Sequence, residues 1–346
     1  MFVELERAQL TAILAAQEEK NGRVKEAAEL LQEVQVETIG SMDVQEKANY
    51  LLEQVRLVLA KRDYVRTEII AKKLATKQFN EPSAKTDPTW QTIKLKYYKL
   101  MIEYHKHFAH YADIAKAYRE IFHTNSVQED PAQWKDALAK LVIYAILSPF
   151  DAELSDLLHR LKDEKKLDQL PAYKTVLQEY VGDEVMNWPL AAEAEWRKDS
   201  TFSTESSGMS DAPVAQLSNE LDVSVTEAER KEGASSGAAR WNDLHKRIVQ
   251  HNIRVLSGYY SRVTSARLSE LLRLPSSTAE VLLSELVSSK QLYAKIDRPK
   301  GVVEFRKPQQ ATEVINGYAA DLSQLLQLVE KTCHMISKEN MIHNIK

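Results

Sequence analysis

Three short strings recur along the early part of the chain: Gly22-Arg23-Val24-Lys25-Glu26-Ala27-Ala28, Asp63-Tyr64-Val65-Arg66-Thr67-Glu68-Ile69 and His110-Tyr111-Ala112-Asp113-Ile114-Ala115-Lys116. Each opens a helical pattern after a polar turn, and aligning Val24, Val65 and Ala112 gives spacings of 41 and 47 residues. A period in the forties belongs to paired-helix solenoids of the TPR/HEAT kind, in which each pair has apolar residues on two flanks and needs a neighbour on both. The intervening helices fit. Val44 to Ala60 carries Ala48, Leu51, Leu52, Val55, Val58 and Leu59 at alternating threes and fours, one broad apolar stripe. Trp90 to Phe108 and Trp134 to Leu147 follow, the latter opened by Asp130-Pro131, a helix cap followed by the residue best tolerated in a first turn. The expectation is a right-handed solenoid over residues 1–198. Met1-Phe2 leads into the first helical pattern without a cap, as a start inside a longer array would.

Composition supports helix and narrows the partners. Only 9 Gly and 10 Pro interrupt 346 residues, and a net charge of −4 gives no overall attraction for nucleic acid or an anionic membrane. The single cysteine, Cys333, excludes an internal disulfide or a multi-cysteine metal cage and fits a reducing compartment, cytoplasmic or nuclear. The longest apolar run, Leu141 to Leu147, is far short of the roughly 20 residues that cross a bilayer.

From 199 to 239 the chain turns to Ser, Thr, Gly, Ala and acidic residues, with Ser-Ser-Gly at 206–208 and 235–237. Such a segment buries too little apolar surface to offset its ordering entropy and is expected to be a disordered insertion. Trp241 to Tyr260 is again helical. Arg262-Val263-Thr264 then reads as a tiny strand, Ser265 to Leu272 as a short helix with Leu268, Leu271 and Leu272 inward, and Ser277-Thr278-Ala279-Glu280 as a capping box opening a helix whose Val281, Leu282, Leu286 and Val287 face a core. Leu292–Asp297 and Val302–Arg306 flank Arg298-Pro299-Lys300-Gly301 as a β-hairpin. Helix, strand, helix, helix, hairpin is the order of a winged helix, here over 240–308. Its hairpin has open edges, so Tyr293, Lys295, Ile296, Val303 and Phe305 are candidates for strand addition by a partner. Past Pro308, one helix from Thr312 to His343 places Ile315, Tyr318, Leu322, Leu325, Val329, Thr332 and Ile336 on a coiled-coil seam, widened by Leu326 and Cys333. That stripe, within 309–346, is the candidate partner-binding bundle helix.

No catalytic constellation emerges. Gly-x4-Gly-Lys-Ser/Thr, Gly-x-Ser-x-Gly, His-Glu-x-x-His and paired Cys-x-x-Cys are all missing from the sequence. His105-x-His107-x-x-His110 is the one tempting cluster, but a zinc isopeptidase would continue with Ser and Asp where Ala115 and Tyr118 stand. On one helix His105 and His107 also point about 200° apart, so they cannot share a metal. Carboxylate pairs such as Glu18-Glu19 and Asp163-Glu164 sit in mixed charge runs and read as solvated faces. The expectation is no enzyme, no cofactor and no metal. In the helix before the wing, Glu280 and Glu285 oppose nucleic-acid contact, although Lys295, Arg298, Lys300, Arg306 and Lys307 could touch a phosphate backbone.

Several strings are similar to those of PCI-domain proteins, the helical scaffolds of the proteasome lid, the signalosome and a translation initiation factor. They are Val36-Glu37-Thr38-Ile39-Gly40-Ser41-Met42, Leu95-Lys96-Tyr97-Tyr98, Ser148-Pro149-Phe150-Asp151 with Ser155-Asp156-Leu157-Leu158-His159-Arg160, and His251-Asn252-Ile253-Arg254. Tyr259-Tyr260-Ser261-Arg262-Val263-Thr264, Ala294-Lys295-Ile296-Asp297-Arg298 and the ending Glu339-Asn340-Met341-Ile342-His343 extend the likeness over nearly the whole chain, and favour the proteasome lid. The resemblance implies a non-catalytic lid scaffold whose winged helix lies beside those of other PCI subunits and whose last helix joins a shared bundle. It also implies contact with the lid zinc isopeptidase, the ATPase ring and the core particle. A signalosome subunit of the same design and, from another class, a nucleic-acid adaptor using the wing are the alternatives.

Overall fold

The computed structural model describes residues 2–36, 39–74, 76–80, 87–202, 237–306 and 310–343. Most of the expected insertion, along with Lys307 and Pro308 of the expected wing and linker, lies outside the described residues. The chain divides into two compact units, Met1–Leu256 and Ser257–Lys346.

The first unit is built from helices joined in pairs: α1 (Phe2–Lys20) with α2 (Val24–Gln32), α3 (Val44–Ala60) with α4 (Tyr64–Lys73), and α5 (Pro88–His107) with α6 (Tyr111–Phe122). The same turn closes all three. Gly22, Arg62 and Ala109 are left-handed, with φ of 81°, 63° and 53°. The next residue's N–H then reaches back five positions, Arg23 to the Glu18 carbonyl (3.0 Å), Asp63 to Val58 (3.1 Å) and His110 to His105 (3.1 Å). This closure satisfies a carbonyl that the helix end leaves without a partner. It also corrects the repeat register, because the first helical residues equivalent to Val24 are Tyr64 and Tyr111, one position before Val65 and Ala112. Of the three left-handed residues only Gly22 lacks the Cβ that makes the conformation costly. Arg62→Gly is therefore expected to stabilise the chain by about 0.5–1 kcal/mol, read as a higher urea midpoint at unchanged slope; an equal or lower midpoint contradicts it.

Each pair packs on the next, α2 on α3, α3 on α5, and α6 on α8 (Pro131–Leu147). Between α2 and α3 a buried Gln54 donates from Nε2 to the carbonyls of Leu31 (2.6 Å) and Val34 (3.2 Å) at the end of α2. Gln54→Leu strands those carbonyls away from water, and a loss of about 2–3 kcal/mol in unfolding free energy is expected. Chemical denaturation measures it, and a loss below about 0.5 kcal/mol contradicts the assignment.

Helix α8, capped by the Asp130 carboxylate accepting from the Ala132 N–H (3.1 Å), is the central element of the larger core. Eleven of its seventeen residues are buried, so its apolar character runs round the whole helix, which only a surrounded helix can sustain. Helices α9 (Ala152–Lys162) and α10 (Pro171–Val181) cover it from the chain that follows. From far along the sequence α12 (Gly237–Tyr259) joins the same core through Trp241, Leu244 and Ile248. Polar ties fix it there. The Tyr111 hydroxyl donates to Asp243 (2.7 Å), Arg247 Nε donates to the Leu147 carbonyl (3.0 Å), and the Asn252 amide bonds both the N–H and the carbonyl of Met186 at 2.9 Å.

The second unit holds β1 (Arg262–Thr264), α13 (Ser265–Leu272), α14 (Ser276–Ser288), β2 (Lys295–Asp297), β3 (Val302–Glu304) and α15 (Ala311–His343), after the short α7 (Asn125–Glu129) and α11 (Glu193–Trp196) of the first. The sheet is antiparallel in the order β1-β3-β2, with Val263 and Ile296 both opposite Val303. The turn residue Gly301 has φ of 61°, and its carbonyl accepts from the Ser265 N–H (2.8 Å). Val263, Leu268, Leu272, Ala279, Leu282, Leu283, Leu286, Val303 and Phe305 form the apolar interior of these elements.

Four local expectations change. The capping box does not form, because α14 begins at Ser276 after Pro275 and Glu280 is held by Arg298 at 2.6 Å. Val281 is exposed, and Leu283 takes the buried place assigned to it. Leu271 and Val287 are half-buried, and the two hairpin strands are three residues each, shorter than the apolar runs that predicted them. Among the described residues no helix is long and apolar enough to cross a membrane.

Candidate interaction surface

Helix α15 spans 33 residues, about 50 Å at 1.5 Å per residue, and none of them is buried. Ile315, Tyr318, Leu322, Leu325, Leu326, Val329 and Ile336 all face water, from 47% exposure at Leu322 to 69% at Tyr318. These residues make a central row and one flank. The other flank carries Val314, Leu328, Met335 and Ile342, likewise exposed, at multiples of seven residues beside the seam, with the charged Asp321 in the remaining place of that row. Their signal is that heptad interval. Asn316, Ser323, Gln324, Gln327, Glu330, Lys331 and Lys338 take the opposite side. An apolar band three rows wide exceeds the two rows of a two-stranded coil and matches a helix covered on both flanks in a bundle. Cys333 is an exposed free thiol on this helix.

In the sheet the candidates separate. Tyr293 and Lys295 are exposed and Ile296 half-buried, on or beside the edge strand β2. Val303 and Phe305 are buried at 2% and 7% exposure. Val303 lies on the central strand, already bonded on both sides, so neither residue offers its side chain to a partner. The wing's cations are largely matched within the unit. Arg298 pairs with Glu280 (2.6 Å), Lys300 with Asp297 (3.6 Å) and Arg262 with its cross-strand partner Glu304. Exposed pairs contribute little stability, but they place an anion beside each cation and weaken the attraction for phosphate. Lys295 and Arg306 are exposed, and Lys307 lies outside the described residues.

The histidine cluster resolves into two parts. His107 stacks on Tyr64, ring centroids 3.8 Å apart, whereas His105 turns to His110, 5.9 Å away across the α5–α6 turn. His105 and His107 diverge because they share one helix, and the turn brings His110 back to His105.

Three families match the chain. One described as "PSMD12/CSN4, N-terminal" matches residues 1–130, one described as "PCI domain" matches 234–307, and one described as "26S proteasome regulatory subunit RPN5 C-terminal domain" matches 313–344. The last coincides with α15. The 26S proteasome non-ATPase regulatory subunit 12 homolog B of Arabidopsis thaliana is 38% identical over 100% of this chain and 76% of that protein. The 26S proteasome regulatory subunit RPN5 of Saccharomyces cerevisiae is 33% identical over 100% of this chain and 71% of that protein. COP9 signalosome complex subunit 4 of Drosophila melanogaster stands further off, 22% identical over 83% of the chain. With the exposed terminal helix, the winged helix and the helical pairs each falling where these families match, the chain belongs to the family of 26S proteasome non-ATPase regulatory subunit 12, also called RPN5.

Proposed function

We propose that this chain is a non-catalytic scaffold subunit of the lid of the 26S proteasome regulatory particle, supporting its assembly and thereby ubiquitin-dependent protein degradation. The observation that carries the reading is α15, an amphipathic helix of 33 residues whose three apolar rows are all exposed in the single chain. Covering an exposed Leu or Val is worth roughly 1.5–3 kcal/mol each, so such a helix has a large driving force to enter a bundle. Its occupants in this reading are the terminal helices of other PCI lid subunits. The β2 edge, with Tyr293, Lys295 and Ile296, takes a neighbouring strand through main-chain hydrogen bonds. The lid zinc isopeptidase, the ATPase ring and the core particle are further contacts, in cytoplasm and nucleus.

The signalosome alternative is weakened by the difference between 33–38% identity to the proteasome subunits and 22% to the signalosome subunit. Purifying the tagged chain from its own cells and identifying its companions by mass spectrometry tests the reading. Proteasomal ATPases and lid subunits in stoichiometric amounts are expected. Signalosome subunits in their place, or a chain that runs alone, would overturn it.

A further inference from the structure

We infer that His105, His110 and Asp113 form a binding site for a divalent transition-metal cation of the zinc class. The geometry comes from the turn. Helix α5 ends at His107, Ala109 is left-handed, and the His110 N–H bonds the His105 carbonyl, which sets the two imidazoles side by side. Asp113, in the first turn of α6, joins them with Oδ2 4.0 Å from His105 Nδ1, and one donor atom from each residue lies within 4.8 Å of the others. Two imidazole nitrogens and one carboxylate are a donor set suited to zinc, cobalt or nickel, with a position left for water. His105 Nδ1 is buried without a hydrogen-bond partner, so a ligand atom is available where solvent does not satisfy it.

Metal–donor bonds of about 2.0–2.2 Å place neighbouring ligands roughly 3.3 Å apart, so donors that now lie within 4.8 Å of one another must close by up to about 1.5 Å. His110 and Asp113 are exposed and make that movement, His110 by sliding on its stack with Phe108 (ring centroids 5.7 Å apart), while His105, only 17% exposed, is the fixed member. His107 is excluded by its stack on Tyr64. A bound ion would clip the end of α5 to the start of α6 and brace the third helix pair.

The full chain, stripped with a chelator and desalted, is titrated with Zn²⁺ by calorimetry and with Co²⁺ by visible absorption. One equivalent per chain is expected, together with a thermal midpoint that rises with Zn²⁺. His105→Gln and Asp113→Asn should each weaken binding at least about tenfold, with circular dichroism verifying the fold; Asp113 is on the surface, so its variant stands even if His105→Gln unfolds. His107→Ala and Cys333→Ser should bind as the parent does. The inference is overturned by the absence of saturable Zn²⁺ binding, by binding that Asp113→Asn leaves intact, or by binding lost on Cys333→Ser.

Discussion

Leu322→Asp combined with Val329→Asp is expected to exclude the chain from its assembly while leaving the isolated protein folded. Both positions are about half exposed and lie one heptad apart in the middle row of α15. In the free chain the substitutions replace one solvated side chain by another, so the change in its stability should stay within about 0.5 kcal/mol per site. In a bundle both carboxylates would be buried. Desolvating an unpaired charge costs several kcal/mol, and about 6 kcal/mol in total corresponds to some four orders of magnitude in affinity. Truncation before Thr312 should act in the same direction. Gln324→Asp with Gln327→Asp, on the polar side, is the control and should assemble normally. Native gels of cell extracts give the readout, with circular dichroism of the purified chain beside them. Co-migration of the Leu322/Val329 variant with the full complex would remove α15 from the interface.

This surface was legible because an apolar period of three and four survives whether or not a partner is present. The row shows in that period, and Val314, Leu328 and Met335 join the exposed face only once the helix is laid out in heptads around Ile315. Paired helices were legible for the same reason, and α3 begins and ends where its stripe predicts. What local pattern misses is set by tertiary partners. Ser277 and Glu280 have the spacing of a capping box, but Arg298 of the hairpin takes the carboxylate. Val303 and Phe305 look like edge residues until β1, 40 residues earlier in the chain, pairs on the far side of β3. The turn between α5 and α6 escaped because Ala109 carries no glycine signal for its left-handed backbone, and with it went the approach of His105 to His110.

Acidification should unfold the first unit by charging two histidines that are buried neutral. His245 lies flat on Trp188, ring centroids 4.2 Å apart and 5° from parallel, in an aromatic cluster with Trp241. Burial pushes its pKa down to about 4. His251 is stacked on Tyr180 (4.9 Å) with Nε2 3.3 Å from the Glu184 carbonyl. Its pKa is also about 4, lowered first by burial and then by Arg254, against smaller opposing effects of the Glu184 carbonyl and Asp183. In the unfolded chain both rings titrate near 6.5. The folded state therefore binds fewer protons between the two values, so the full stability is present above pH 6.5 and is lost as pH falls toward 4, by about 3 kcal/mol per histidine at the lower end. Urea unfolding at a series of pH values from 7.5 to 4.5 should show the midpoint falling steadily below pH 6.5. His245→Phe keeps the stack on Trp188 and removes one site of proton uptake, so it should cut the steepness of that fall by about half. A midpoint flat across the range, or a variant with the parent's slope, would show that these two rings do not govern the acid limit.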